Sequence, residues 1–266
     1  MYMRRHLAGL LTLSLSVASL TYAANAEEHE SLESFFAQLP ESPAKDALYQ
    51  IPDMGRKLLA LRSYSRAGKS IRKRWSWTDE QIKAYEGTEE QEALLAEVGE
   101  ISAHFAEANP GYELYVRTKV RSLDRQIKNW NKSKSVLIPA IEILASWKET
   151  FGEDSGAQGT FTEKAFWRWL NTYRRKHRPG FAAPGMSRHG QARAIDFQIM
   201  QDGKIIAGTN FGKIKSVWQA EGWAEKLKAS IDTAGPSFKG PLQLPYEPWH
   251  YDYNPGINSN SQKTTN

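Results

Sequence analysis

The chain has 266 residues and no cysteine, with 35 basic and 30 acidic side chains that give a formal net charge of +5 at pH 7. A charge excess this small does not indicate nucleic-acid binding, since domains that bind nucleic acid usually show a pronounced basic patch. The lack of cysteine excludes disulfide bonds, thiolate catalysis and cysteine-ligated metal sites. Any metal ion must therefore be held by His, Asp or Glu.

The N-terminal 26 residues have the layout of a secretory signal peptide. Two arginines precede an apolar run over residues 7–20, and the Ala-Asn-Ala sequence at 24–26 offers a cleavage site. The alternative is an uncleaved membrane anchor, but the run is short for a bilayer span, which needs about 20 residues. We therefore predict an exported protein, periplasmic or secreted, without a stable membrane anchor. Removing residues 1–26 takes away two basic residues and no acidic one, which leaves a net charge of +3.

Residues 27–110 are predicted to form a helical N-terminal region. Thr88 and Gln91 have the spacing of a capping box, and the apolar residues from Leu94 to Phe105 follow at helical intervals. The NPG sequence at 109–111 is expected to end this helix. The region either packs on the domain that follows or binds a protein partner of unknown identity.

Residues 68–77, with the sequence GKSIRKRWSW, combine four basic side chains with Trp75 and Trp77. Such a segment either contacts a glycan or a polyanion, or forms a solvated basic face whose two tryptophans dock on the core. The second interpretation is the more ordinary one, because charged side chains are mostly exposed and tryptophan is mostly buried.

Residues 111–253 are predicted to form an α+β domain with an antiparallel-sheet core and packed helices. Apolar alternation predicts strands, and apolar residues three or four apart predict helices. The predicted elements are a strand at 112–120, helices at 123–130 and 162–177, a hairpin at 192–208, a helix at 216–232 and a closing strand at 245–253. The polar tail, 254–266, is predicted to be disordered.

Two short segments place a histidine close to a carboxylate. His189 lies seven residues before Asp196, and Glu247 lies three residues before His250. In a continuous strand an odd spacing puts two side chains on opposite faces, so His189 is expected in the loop before the strand. Pro248 interrupts the regular pleat between Glu247 and His250, which permits these two side chains to converge.

Two histidines and one carboxylate are a plausible ligand set for a catalytic zinc ion, because three protein ligands leave a fourth position for water. A further glutamate would then act as the base. The alternative is purely structural: a histidine satisfied within the core, and an aspartate in a turn or a salt bridge. Spacing alone leaves both possibilities open.

Three segments, in the family's order, resemble motifs of the zinc D-alanyl-D-alanine carboxypeptidases of the VanY and VanX type. The sequence PGMSRHGQARAIDF resembles the motif S-x-H-x-x-G-x-A-x-D, and EPWH within YEPWHYDY resembles E-x-W-H. Upstream, VRSLDRQ resembles the segment Y-R-S-x-x-x-Q. The resemblance covers residues 112–253 and implies the zinc peptidase fold for this domain.

The chain departs from the family pattern at two positions. Ala192 stands where glycine is usual, and Val120 stands where tyrosine precedes the arginine. Alanine adds only a methyl group, but it is strained if the position requires a positive φ. Valine removes any contact made by a tyrosine ring at that position.

The resemblance also implies a role for each matching residue. One Zn²⁺ would be held by His189, Asp196 and His250. Glu247 would take a proton from the zinc-bound water. Arg121 would stabilise the oxyanion of the tetrahedral intermediate, and its alternative role is a surface salt bridge. The remaining matching residues would bind substrate or brace the loop; they are Ser187, Gln126 and Ser122.

The function implied by the resemblance is that of an exported zinc peptidase acting on peptidoglycan stem peptides, most simply by removing terminal D-alanine. An endopeptidase that uses the same site is the nearest alternative. A non-catalytic module that binds zinc or the cell wall is a second alternative. The presence of both Glu247 and Arg121 favours catalysis over simple binding.

Overall fold

The computed structural model describes residues 32–152 and 161–256. The chain divides into two compact units: a helical unit of residues 32–66, 137–152 and 161–177, and a sheet unit of residues 67–136 and 178–256. Residues 67–110 belong to the sheet unit, so the units do not follow the boundary predicted near residue 110. The predicted signal peptide, 1–26, and positions 257–266 of the predicted tail lie outside the described residues.

Helices make up most of the described chain. None of the described helices combines the length and the apolar character needed to cross a bilayer. In chain order they are α1 (32–37), α2 (Pro43–Tyr49), α3 (Met54–Ala67), α4 (Ile71–Arg74), α5 (Asp79–Tyr85), α6 (Glu89–Ala108), α7 (Leu123–Lys132), α8 (Lys134–Phe151), α9 (Glu163–Thr172) and α10 (Trp223–Ala234).

The helical unit is stabilised by apolar side chains on the inner faces of its helices. Phe36 of α1, Leu58 of α3 and Phe166 of α9 are each no more than 2% exposed. Helices α3 and α8 approach each other closely at Gly55, where a Cβ atom would lie 2.2 Å from the carbonyl oxygen of Ala140. Only glycine therefore fits at position 55.

Helix α6 begins and ends as the sequence predicts, but only half of the predicted capping box forms. The Thr88 side chain accepts from the backbone N–H of Gln91, whereas the Gln91 side chain accepts from the N–H of Gly87 rather than from Thr88. A complete capping box forms at the start of α5, between Thr78 and Gln81. The apolar stripe of α6 faces the core as expected, apart from Leu95, which is 43% exposed.

The single helix predicted over 216–232 is wrong. A π-helical turn at Ile214–Gln219 is followed by a break at Gly222, and α10 begins only at Trp223. Gly222 has a φ of 69°, a left-handed conformation that glycine adopts without a steric cost and that ends the preceding turn. Trp218, within the π-helical turn, is fully buried in the core.

The sheet of the sheet unit is antiparallel, which agrees with the predicted α+β class. Four strands follow the order β1-β2-β7-β4, β3 pairs with β2, and β5 and β6 form a separate hairpin. The strands are β1 (Glu113–Val116), β2 (Ala194–Gln201), β3 (Lys204–Ala207), β4 (Phe238–Lys239), β5 (Leu242–Gln243), β6 (Tyr246–Glu247) and β7 (His250–Tyr253).

The two central strands bury alternate residues. Ile195 and Phe197 of β2 and Tyr251 of β7 belong to a core that also contains apolar residues of α6 and α10. Because successive side chains on a strand point to opposite faces, the residues between them face away from this core. Those residues are Asp196 and, on β7, His250, so the predicted metal ligands lie on the face opposite the core.

Candidate metal centre

The strand pairing brings Asp196 and His250 together. They are direct partners in the antiparallel register of β2 and β7, and directly opposed side chains on one face have Cβ atoms about 5 Å apart. Oδ1 of Asp196 lies 3.1 Å from Nδ1 of His250. The sheet therefore fixes two of the three predicted ligands by its backbone register alone.

His189 reaches the same point from a 3₁₀ turn, Arg188–Gln191, that immediately precedes β2. This turn agrees with the expected position of His189 before the strand. The turn ends at Ala192, which has a φ of 54°, so the position does require the left-handed conformation that disfavours alanine. The methyl group of Ala192 is buried in the core of the sheet unit.

The three candidate ligand atoms form a nearly equilateral triangle. Nε2 of His189 lies 3.2 Å from Nδ1 of His250 and 3.3 Å from Oδ1 of Asp196, and the third side measures 3.1 Å. Zinc bonds of 2.0–2.1 Å in a tetrahedron separate neighbouring ligand atoms by about 3.3 Å. These atoms are thus spaced as tetrahedral zinc ligands would be, and the residues present fit a zinc ion.

Hydrogen bonding explains this triangle less well than a cation does. If both ring nitrogens donate to Asp196, the two N–H groups face each other across 3.2 Å, which is unfavourable. If one nitrogen is unprotonated, it faces the carboxylate oxygen as a second acceptor. A metal ion bound by all three atoms removes both conflicts.

The pKa shifts follow from burial and from the shared carboxylate. Burial lowers the pKa of His189, while contact with Asp196 acts in the opposite direction. Burial also opposes ionisation of Asp196, but hydrogen bonds with His189 and His250 outweigh it and hold the carboxyl pKa well below its usual range. For His250, burial is outweighed by contacts with Asp196 and Asp252, and the pKa is raised to about 9.

Arg121 contacts the outer oxygen of the same carboxylate. Its guanidinium donates to Oδ2 of Asp196 at 3.1 Å, and its backbone N–H donates to the carbonyl of His189 at 3.0 Å. The guanidinium is thus beside the candidate metal centre rather than in a surface salt bridge remote from it. Val120, the departure next to it, is partly buried and packs against the core.

Glu247 lies beside the ligand triangle without belonging to it. Its Oε2 atom is 3.8 Å from Nδ1 of His250, and its side chain is 13% exposed. A turn at Pro248 and Trp249 separates β6 from β7, which explains how two residues three apart converge. Burial raises the pKa of Glu247 to about 7. A carboxylate with this pKa is suited to exchange protons at neutral pH.

The residues predicted to bind substrate or brace the loop differ in their surroundings. Gln126 is buried; its Nε2 donates to Ser76 Oγ and the Arg121 carbonyl, and its Oε1 accepts from the Gly185 N–H. These contacts correspond to the bracing role. Ser122 is the N-cap of α7. Ser187 is the N-cap of the 3₁₀ turn but makes no capping bond with its side chain.

The tryptophan-containing part of residues 68–77 supports the loop that holds His189. Ser76 N–H donates to the Gly185 carbonyl, Trp77 N–H donates to the Gly190 carbonyl, and the Gln191 side chain donates to the Trp75 carbonyl. A Cβ atom at Gly190 would lie 2.0 Å from Ser76 Oγ. Hydrogen bonds therefore join the backbone of residues 75–77 to the loop that holds His189.

Sequence reasoning missed three residues near the centre. Asp252 lies two residues after His250, so strand alternation alone predicts that it shares the face of that ligand. Arg188 precedes His189 and lies 2.9 Å from the Asp252 carboxylate. The neighbouring sequence does not reveal the role of Ser76, because its hydrogen-bond partner Gln126 is 50 residues away in the sequence.

Comparison with protein-family models, with curated proteins and with solved structures finds no match for this chain.

Proposed function

We propose that this protein is a zinc-dependent peptidase that hydrolyses peptidoglycan stem peptides, most simply by removing terminal D-alanine. The observation on which the proposal chiefly depends is the 3.1–3.3 Å triangle of His189, Asp196 and His250 ligand atoms. Glu247 and Arg121 lie next to this triangle, which favours hydrolysis over simple metal binding. The choice of substrate depends on the resemblance of the three sequence motifs.

His189, Asp196 and His250 would hold the ion. When bound, zinc supplies an activated water and polarises the scissile carbonyl. Glu247 has the position and the pKa to accept the proton of that water and to return it to the leaving amine. Arg121 offers a fixed positive charge that would stabilise the oxyanion at the scissile carbonyl. Its contact with Asp196 holds this charge beside the reacting groups.

Defined muropeptides test the proposal directly. The purified protein is incubated with a pentapeptide muropeptide and with a cross-linked dimer, with and without a chelator, and the products are analysed by mass spectrometry. Loss of one alanine from the pentapeptide is the expected result. Cleavage of the dimer instead assigns the endopeptidase activity. The absence of any chelator-sensitive product would overturn the hydrolytic proposal.

A further inference from the structure

The two ring nitrogens of His250 face different carboxylates: Asp196 and Glu247 lie at Nδ1, and Asp252 lies at Nε2. Nδ1 lies toward Asp196 and His189, while Nε2 lies 3.5 Å from Oδ1 of Asp252. Asp252 is two residues farther along β7 and therefore lies on the same face as His250. If Nδ1 binds a metal ion, the single proton of the neutral ring must be on Nε2, which faces Asp252.

Oδ1 of Asp252 has the capacity to accept that proton in a hydrogen bond. The atom is buried and receives no hydrogen bond from the described residues. Arg188 Nε lies 2.9 Å from it as an ion pair, but the Nε–H group is donated to the carbonyl of Arg193. The ion pair thus leaves this buried oxygen without a directed hydrogen bond, and the Nε2–H group of His250 is the nearby donor that would supply one.

Arg188 links the two segments that supply the histidine ligands. It precedes His189 in the 3₁₀ turn, and its guanidinium lies against Asp252 of β7 and donates to Oδ1 of Asn254 at 3.0 Å. The Asp252 side chain is 32% exposed and that of Arg188 is 46% exposed, so solvent weakens this ion pair. The ion pair nevertheless fixes the position of the Asp252 carboxylate next to Nε2 of His250.

We propose that Asp252 is a positioning residue that fixes the ring orientation and the Nε2–H tautomer of His250, and that Arg188 holds Asp252 in place. This inference depends on the proposed metal centre. Carboxylates that accept from a metal-bound histidine orient the ring and raise its basicity as a ligand, and their loss typically weakens metal binding about 10- to 100-fold. Asp252 and Arg188 would thus determine zinc affinity without contacting zinc or substrate.

Zinc competition with a chromophoric chelator tests the inference in the full-length protein. Asp252→Ala should weaken zinc binding about 10- to 100-fold, with a smaller loss for Asp252→Asn, whose amide oxygen still accepts. Arg188→Gln should also weaken binding, since it frees the carboxylate. Asp232→Ala is the matched control, because Asp232 is an exposed carboxylate paired with Lys228 on α10, and it should bind zinc like the wild type.

A second measurement separates positioning from a loss of folding. In the zinc-loaded wild type, long-range ¹H–¹⁵N spectra should show the His250 proton on Nε2, in slow exchange with water. The exchange of this proton with water should become faster in Asp252→Asn. After zinc is removed with a chelator, the thermal unfolding midpoint of the variant should stay near that of the zinc-free wild type. If Asp252→Ala fails to fold, Arg188→Gln and these spectra give the answer.

Three results would overturn the inference. The first is wild-type zinc affinity in Asp252→Ala and Arg188→Gln, and the second is a His250 proton on Nδ1 in the zinc-loaded protein. In the first case the metal centre itself would stand, whereas in the second Nδ1 of His250 could not be a zinc ligand and the proposed ligand set would be wrong as well. The third is a wild-type protein that does not bind zinc, which would overturn the proposed function together with this inference.

Discussion

Asp196 and His250 are direct partners in the antiparallel register of β2 and β7, and Oδ1 of the carboxylate lies 3.1 Å from Nδ1 of the imidazole. A one-residue slip of this register would turn His250 into the core and Tyr251 outward. The burial of Tyr251 and Ile195 therefore fixes the register, and the register in turn aligns the two candidate ligands. The same apolar residues that stabilise the sheet thus position the site.

Removing either histidine should abolish zinc binding. We expect the wild type to bind about one Zn²⁺, since three ligands and one open position make up a catalytic site, whereas His189→Ala and His250→Ala should bind none after dialysis. Elemental analysis measures the zinc content. His177→Ala is the control, because this exposed histidine pairs with Glu142 of the helical unit. Full zinc retention in both ligand variants would exclude the site.

Zinc binding should release about one proton near neutral pH. The pKa of His250 is raised to about 9 in the metal-free protein, so the ring is protonated at pH 7 and must lose a proton to bind the metal. The stabilisation that this proton gives the metal-free fold is fully present below the unfolded pKa and is lost as the pH rises through about 9. Zinc affinity should therefore rise about tenfold per pH unit between pH 6.5 and 8.5.

Calorimetry in buffers of different ionisation enthalpy measures the released proton. The His250→Ala variant, which should bind no zinc, gives the baseline heat of injection. Zinc binding with no proton release at pH 7 would mean either that His250 is already neutral in the metal-free protein or that its Nδ1 is not a ligand.

Glu247→Gln should keep zinc but lose most turnover. The carboxylate is 3.8 Å from His250 Nδ1, beside the ligand triangle, and removal of a general base typically costs about 10²–10⁴-fold. Zinc content and kcat on a muropeptide are measured together. A variant without zinc would make Glu247 a ligand, and an active variant would leave the base unassigned.

Arg121→Ala should impair both metal binding and turnover. The guanidinium donates to the Oδ2 atom of Asp196, so zinc affinity should fall by up to about 10²-fold. At saturating zinc, kcat should still fall about 10²–10³-fold, the scale for losing one oxyanion donor. Arg121→Lys should restore only part of the rate, because lysine lacks the planar set of donors.

Two neighbouring arginines are controls for Arg121. Arg117 and Arg125 are exposed, and neither matches the family segment. Replacing either with alanine should leave kcat and zinc affinity near the wild-type values. If one of these variants loses turnover while Arg121→Ala keeps it at saturating zinc, the oxyanion role belongs to a different arginine.

The loop that holds His189 should tolerate no side chain at position 190. A Cβ atom there would lie 2.0 Å from Ser76 Oγ and 2.7 Å from Gln126 Nε2. Gly190→Ala should therefore destabilise the protein by about 1–3 kcal/mol, the usual cost of overpacking, and weaken zinc binding. Urea unfolding and chelator competition measure the two effects. Gly99→Ala is the control for the loss of glycine, because Gly99 is exposed on α6, its φ is not positive and a Cβ there would meet no atom within 4 Å; it should not destabilise the protein.

Local sequence determined much of this protein. The lack of cysteine restricted the metal ligands to His, Asp and Glu, and the alternation in β2 placed Asp196 opposite the buried Ile195 and Phe197. The α+β class, the helix from Glu89 to Ala108 and the strand containing Asp196 were all predicted correctly. These features depend on propensity, capping and periodicity over a few residues, so a short stretch of sequence is sufficient to specify them.

Tertiary structure decided how the site is assembled. The contacts of Asp196 with His250 and Arg121 span 54 and 75 residues of sequence, and no local pattern fixes which ring nitrogen or which carboxylate oxygen is used. The bracing of the His189 loop by Ser76, and the ion pair of Arg188 with Asp252, likewise arise only when β2, β7 and residues 75–77 pack together. Such contacts depend on strand register and on close backbone approach, which are properties of the folded chain and not of any one segment.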